Sequence, residues 1–224
     1  MKQPRVSAKP HSPGELHDRF ALALGRLTQC ADFARLIPEV RSNLVYAKPG
    51  AGTPADVLAV EGRITAVGGR PHPSGPPVFG ASDHMARLVV ALGRLDPSMR
   101  AGINLASTPR LDAWLDGYAQ QRGWVKSTID RSREPDSLRR EEEPSAPWKV
   151  GEAVRAAGGR IPKLFRETAA VGKEPLTYLV GRDPVEVVDD ACALARAWTA
   201  AMGDAYVTRV SQPGPEATGG KAGA

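Results

Sequence analysis

Apolar residues recur at helical spacing at Leu16, Phe20, Ala23, Leu24, Leu27, Ala31 and Ala34. This predicts an opening helix from Glu15, stopped at Pro38 because the residue before a proline avoids helical geometry. The pattern then shortens. Asn43-Leu44-Val45-Tyr46 reads as a strand, and Thr53 followed by Pro54 predicts a brief helix over residues 54–59, with threonine as N-cap and proline at the first helical position. The β-branched run at 63–67 predicts a strand that empties into a rigid Gly- and Pro-rich loop over 68–77. Ser82 or Asp83 then caps a helix whose buried stripe is Met85, Leu88, Val89, Leu92 and Leu95.

Beyond it the pattern predicts a strand at 101–105, a helix at 109–122 with Leu111, Trp114, Leu115 and Tyr118 inward, and a strand at 124–129. Residues 134–147 are charged and punctuated by proline, and read as a surface excursion. A short helix at 149–157, strands at 163–167 and 176–180, and a last helix at 184–202 complete the order. Strands alternating with helices argue for one α/β domain on a central sheet, spanning residues 15–202. Residues 1–14 and 203–224 read as disordered tails. Periodicity leaves the strand order unread.

Composition narrows the function classes. At 224 residues with 42% apolar and 25% charged positions, the chain is ordinary for a soluble globular protein. Only 5% of residues are aromatic, against a stacking platform for single-stranded nucleic acid. No apolar run reaches membrane-spanning length, and the start lacks the apolar core of a secretory signal, so the expected location is cytoplasmic. Cys30 and Cys192 sit far apart within helical patterns; they read as buried thiols rather than a disulfide framework or metal ligands.

The net charge of +5 invites a nucleic-acid reading that its distribution weakens. Lys2, Arg5 and Lys9 supply three of those charges, so residues 15–202 are almost balanced. Affinity for phosphate must therefore come from local sites.

Among single residues, His84 is the most informative, in the first turn of a helix. A helix N-terminus carries about half a positive charge, favouring a neutral imidazole able to give or take one proton; simple hydrogen bonding to a nearby carbonyl is the alternative. Arg63, Arg70, Arg131, Lys173 and Arg182 stand beside Gly or Asp at strand-to-loop junctions, where ligands dock in α/β sheets. Taken singly, each also fits a surface ion pair. Gly68-Gly69 and Gly172-Lys173 match neither nucleotide-binding glycine fingerprint. Asp130 with Asp183 could carry Mg²⁺ through water, against the commoner role of capping loops. Trp148 is a candidate pocket residue.

The run Leu36-Ile37-Pro38-Glu39-Val40-Arg41-Ser42-Asn43-Leu44-Val45-Tyr46-Ala47 resembles the ThiN domain, the archaeal-type thiamine-phosphate synthase. The resemblance continues in the family's order. It takes in Gly62-Arg63-Ile64-Thr65 with Gly68-Gly69-Arg70-Pro71, Phe79-Gly80-Ala81-Ser82 with His84, and Asp130-Arg131-Ser132 with Glu134-Pro135. Pro147-Trp148, Val171-Gly172-Lys173-Glu174-Pro175 and Gly181-Arg182-Asp183-Pro184 follow. It implies a three-layer α/β/α sandwich around a mixed sheet, similar to the aldolase-like domain that ends pyrimidine kinases. It also implies condensation of hydroxymethylpyrimidine diphosphate with hydroxyethylthiazole phosphate to thiamine phosphate and pyrophosphate. Arg63 and His84 match the family's critical arginine and histidine. Asn43, Gly68, Gly69, Arg70, Ser82, Arg131, Lys173 and Arg182 are the expected substrate and phosphate contacts, with Mg²⁺ as the expected companion of the diphosphate. Two departures stand out: Ala169-Ala170 replaces a glycine pair, and Leu105-Ala106-Ser107-Thr108 replaces a segment that carries an arginine.

The same domain serves as a sensor behind a helix-turn-helix in thiamine-responsive repressors. The few residues before the first helix leave no space for such a reader in this chain, so no nucleic-acid partner and no membrane are expected. A module that binds thiamine phosphate without making it is the alternative reading. Homo-oligomer formation stays open.

Overall fold

The computed structural model describes residues 12–135, 137–138, 142–169 and 174–203. Among these residues five α-helices, α1 (Pro13–Gln29), α2 (His84–Leu95), α3 (Pro109–Gln121), α4 (Glu142–Ala156) and α5 (Pro184–Met202), surround nine strands. The strands are β1 (Leu44–Ala47), β2 (Val57–Val60), β3 (Ile64–Val67), β4 (Arg70–Pro73), β5 (Pro77–Phe79), β6 (Ala101–Ala106), β7 (Lys126–Ile129), β8 (Leu164–Glu167) and β9 (Leu176–Gly181). Seven form one sheet in the order β5-β2-β1-β6-β9-β8-β7, while β3 and β4 pair separately as a ribbon. The β7–β8 pair is parallel and the other pairings are antiparallel. A parallel pair needs a crossover, and α4 supplies it.

Both faces of the sheet are covered, giving the expected α/β/α sandwich. Leu44, Tyr46, Ile103, Leu105, Leu164 and Leu179 face one core with Phe20, Leu27, Phe33 and Leu194. Their neighbours Val45, Ala47, Phe165, Tyr178 and Val180 face the other, with Leu88, Val89 and Val150. Strands buried on both faces read as continuous apolar runs rather than alternating ones, as the Leu44–Ala47 strand does. Cys30 and Cys192 are buried free thiols, as expected, and a hydrogen bond between them lowers the Cys30 thiol from its ordinary value.

Four expectations need correction. The first helix begins at Pro13, because Ser12 accepts from the Glu15 N–H at 3.2 Å while Glu15 accepts from the Ser12 N–H at 2.7 Å. It ends at Gln29, and Ala31–Leu36 is a separate 3-10 turn. The brief helix after Thr53 stops at Asp56, since Val57–Val60 pairs on both edges as β2. The expected rigid loop over 68–77 is instead a hairpin. Gly68 and Gly69 form its two-residue turn with φ of 56° and 73°, a geometry that favours glycine at both positions. Finally, the excursion over 134–147 contributes to the interior: Glu134 and Ser145 are buried and hydrogen-bonded to each other at 2.6 Å.

Candidate active site

One end of the sheet, where β1 and β9 begin and β6 and β8 end, opens into a cavity of about 510 Å³. Its lining includes Arg41, Asn43, Arg63, Ser82, His84, Asn104, Lys149 and Glu167, with Glu39, Asp83 and Glu174. Both signs of charge are present. The start of α2 forms part of the wall, and no side chain caps it, because the Asp83 carboxylate accepts instead from Arg87 at 2.8 Å.

Arg63 reaches the cavity through an unusual backbone. Arg41 and Arg63 have φ of 68° and 71°, a left-handed conformation that costs a side-chain-bearing residue about 1–2 kcal/mol. A pair of backbone hydrogen bonds holds the two segments together: the Ser42 N–H donates to Ile64 at 3.1 Å and the Ile64 N–H to Ser42 at 2.7 Å. Each arginine then reaches the carbonyl preceding the other. Arg63 Nη1 donates to Val40 at 2.5 Å, and Arg41 Nη1 to Gly62 at 3.4 Å. Glu174 accepts from the Val40 N–H at 2.6 Å. Asn104 Oδ1 accepts from the Asn43 N–H at 2.7 Å while its amide donates to the Arg41 carbonyl at 3.0 Å. Asn43 in turn exchanges two hydrogen bonds with the Val60 backbone. The two asparagines fix the arginine clasp to β2 and β6.

His84 opens α2 and contacts the Tyr178 hydroxyl through Nε2 at 2.8 Å. Tyr178 donates to Glu167 Oε1 at 2.5 Å. The second oxygen of Glu167 meets Arg131 Nη1 at 2.6 Å and Lys149 Nζ at 3.0 Å. Arg131 also pairs with Glu134 at 2.8 Å, and Glu134 accepts from Ser145. The sheet register explains this convergence. Phe165 pairs with Tyr178, so Glu167, two residues on, lies diagonally from Tyr178 on the same face. Ile129 pairs with Glu167, which delivers Arg131 from the end of β7. Glu167, Glu134, Arg131 and Lys149 are all at most 3% exposed, a burial that charges tolerate only when paired. Burial alone would raise the Glu167 carboxyl; Lys149, His84, Tyr178 and Arg131 together hold it below the ordinary glutamate value.

Of the expected residues, the fold brings Arg63, His84, Asn43 and Ser82 to the cavity. Gly68 and Gly69 serve the hairpin turn, and Arg70 is exposed in the closing pair beside them, outside the cavity lining. Arg131 is an interior ion-pair residue rather than a phosphate contact at the cavity wall, because its guanidinium is occupied by Glu134 and Glu167. Arg182 follows Gly181, which pairs with Ala101 at the opposite end of the sheet from Asn104 and Tyr178. Lys173 lies outside the described residues, as do Ala170, Val171 and Gly172. Asp130 accepts from Ser132, and Asp183 caps α5 while pairing with Arg19. They lie at opposite ends of the sheet and make no Mg²⁺ pair. Trp148 packs on the α2–α4 core instead of lining the cavity.

Sequence reasoning missed Arg41, Lys149, Glu167 and Tyr178. Arg41 stands in the motif that carries the family resemblance, but nothing local marks its left-handed backbone. Glu167 and Tyr178 look like ordinary strand positions until the register joins them.

The fold is an α/β/α domain with a cavity at one sheet end, walled by two arginines and a histidine among others. The chain belongs to the ThiN family: the model described as "Thiamine-phosphate synthase ThiN" matches residues 20–193. It is 42% identical over 182 residues to the thiamine-phosphate synthase ThiN of Methanothermobacter thermautotrophicus, covering 81% of this chain and 93% of that one. It is 32% identical over 155 residues to the bifunctional thiamine biosynthesis protein ThiDN of Methanocaldococcus jannaschii, covering 68% of this chain and 34% of that longer protein. The solved C-terminal domain of phosphomethylpyrimidine kinase superposes with a TM-score of 0.77 at 32% identity, covering 82% of this chain and 100% of that one. Among the described residues no helix is long and apolar enough to cross a membrane.

Proposed function

We propose that this chain is a thiamine-phosphate synthase, a transferase joining hydroxymethylpyrimidine diphosphate to hydroxyethylthiazole phosphate with release of pyrophosphate. The observation that carries this reading is that Arg63 and His84 line one cavity although 21 positions separate them and a hairpin intervenes. Family membership supports it independently.

The wall suits the chemistry. The bond from the pyrimidine methylene to the diphosphate oxygen breaks and its electron pair leaves on the diphosphate. The thiazole nitrogen then donates its pair to the methylene carbon, giving a thiazolium. Arg63 and Arg41 meet the growing negative charge with planar donor forks, beside the N-terminus of α2, itself an anion-friendly position. Carboxylates on the same wall, Glu39, Asp83 and Glu174, suit the positive charge that develops at the heterocycles. A purely cationic pocket would serve only half of this reaction. Asn43 acts by fixing the wall, since its amide is engaged with Val60.

Among the described residues no three His, Cys, Asp or Glu side chains gather into a set that could hold a metal ion. They do not build a protein cage for Mg²⁺, and no step here runs through it. Mg²⁺ held mainly by phosphate oxygens and water is the form such a wall accommodates.

Purified protein incubated with both substrates and Mg²⁺ should release pyrophosphate and form thiamine phosphate in equal amounts. Tight thiamine phosphate binding by calorimetry without turnover would replace the enzyme by the binding module, a reading favoured by Ala169 where family members often carry glycine.

A further inference from the structure

Resting on the synthase reading of the cavity, we infer that Ser82 and the start of α2 form a seat for a phosphoryl group, built from elements other than the Arg41–Arg63 clasp. The Ser82 hydroxyl donates to a phosphoryl oxygen there, and the ligand supplies the cap that the helix lacks. Two independent observations carry this. The first is the hydroxyl itself. Ser82 is only 9% exposed, yet it lines the cavity. Among the described residues its hydroxyl has no hydrogen-bond partner. The hydroxyls of Ser42, Ser127 and Thr177 are also unpartnered, but they are shut inside the protein; the Ser82 oxygen keeps its access to the cavity. A polar group this buried costs stability unless something pairs with it. For Ser82 that partner has to arrive through the cavity.

The second is the helix start. An N-cap side chain ordinarily accepts from the N–H two or three residues on. Asp83 holds the cap position, but its side chain is 55% exposed and accepts from Arg87 instead. The Met85 N–H, which a cap would take, is left without an acceptor among the described residues, and Met85 lines the cavity with Ser82. Gly80 sets the approach. With φ of 80° it turns the chain out of β5, and its N–H donates to Val57 at 3.0 Å, so that residues 81–85 run consecutively along the wall. A hydroxyl donor beside an uncapped amide, at the positive end of a helix dipole, is the chemistry that holds a phosphoryl oxyanion. The Arg87 pairing keeps the Asp83 carboxylate from filling the seat. Both substrates of the proposed reaction carry a terminal phosphoryl group, and binding each one alone separates them.

Ser82→Ala is the direct test. It removes one oxygen that bonds to no described residue, so the melting temperature should stay within about 2 °C of the parent's. Calorimetry with each substrate alone, where no turnover occurs, should show a weaker complex. The Kd for hydroxymethylpyrimidine diphosphate, for hydroxyethylthiazole phosphate, or for both should rise about 10-fold or more, the size of a lost hydrogen bond to a charged group. A rise confined to the diphosphate assigns the seat to the leaving group; one confined to the thiazole phosphate assigns it to the nucleophile's substrate. In amide spectra of the wild type, the Met85 N–H should shift when that substrate is added. The inference is overturned if neither Kd rises by that much, if the Met85 N–H stays in place, or if Ser82→Ala lowers the melting temperature well beyond that range, which would make the hydroxyl a structural group. A Ser82-sensitive Kd in a protein that makes no thiamine phosphate would sink the synthase reading alone. Thiamine phosphate formation with both Kd values indifferent to Ser82 would sink this inference alone.

Discussion

Arg41 and Arg63 each occupy a backbone conformation that glycine would adopt without cost, and both do so on the wall of one cavity. Strain of this kind persists where surrounding structure over-determines it and clusters at functional sites. Function and stability therefore pull in opposite directions here, and a single substitution separates them. Arg41→Gly should keep stability within about 1 kcal/mol of the parent, since relief of the left-handed strain offsets the added freedom of the unfolded chain. It should also raise KM for the pyrimidine diphosphate at least 10-fold, a loss of about 1.4 kcal/mol or more of binding. Thermal melts and initial rates read the two effects separately; an unchanged KM would make Arg41 a structural clasp only. Arg63→Ala and His84→Ala should each abolish most turnover while the melting temperature stays near the parent's. Wild-type rates from either would remove that residue from the site.

At the scale of elements, what the sequence made legible is what local physics decides. Helices α2 and α5 carry long apolar stripes, and their bounds match the periodicity; β1, β6, β8 and β9 are apolar enough to declare themselves. Strands β2, β4 and β5 were hidden, because four residues after a capped proline, or a Pro-rich ribbon, become strands only through partners supplied by the fold. The site divides the same way. Arg63 and His84 were legible through family motifs, whereas the Tyr178–Glu167–Arg131 network exists only once β7, β8 and β9 are in register. Arg131 shows the consequence. Beside a loop aspartate it reads as a phosphate ligand, yet it is the bolt between β8 and the segment after β7. Arg131→Met leaves two buried carboxylates without their guanidinium and should destabilise the fold by about 3–5 kcal/mol, measured by urea unfolding. Arg70→Ala and Arg182→Ala, outside the cavity, should leave kcat/KM within about 3-fold of the parent, as surface charges generally do. A large loss from either would mean that the site extends beyond the described wall.

For the whole molecule, the buried charge cluster makes stability depend on acid in a definite direction. Glu167 is held below its ordinary value of 4.5 in the folded protein, so the folded state binds fewer protons there than the unfolded chain. Its contribution is fully present above the unfolded value and is lost as pH falls through the lower folded value. Because Glu167 ties β8 to β9 through Tyr178, to α4 through Lys149 and to the β7 end through Arg131, that loss should be felt as cooperative unfolding rather than local fraying. Glu167→Gln has no proton to gain at this position. The stability gap between wild type and Glu167→Gln should therefore be widest at neutral pH and narrow as pH drops below about 4.5, the unfolded glutamate value. Urea unfolding across that range measures it. A gap that stays constant from neutral pH into the acid range would show that the Glu167 carboxylate takes no net stabilisation from its partners, and would leave the charge cluster without a role in holding the two ends of the sheet's parallel edge to α4.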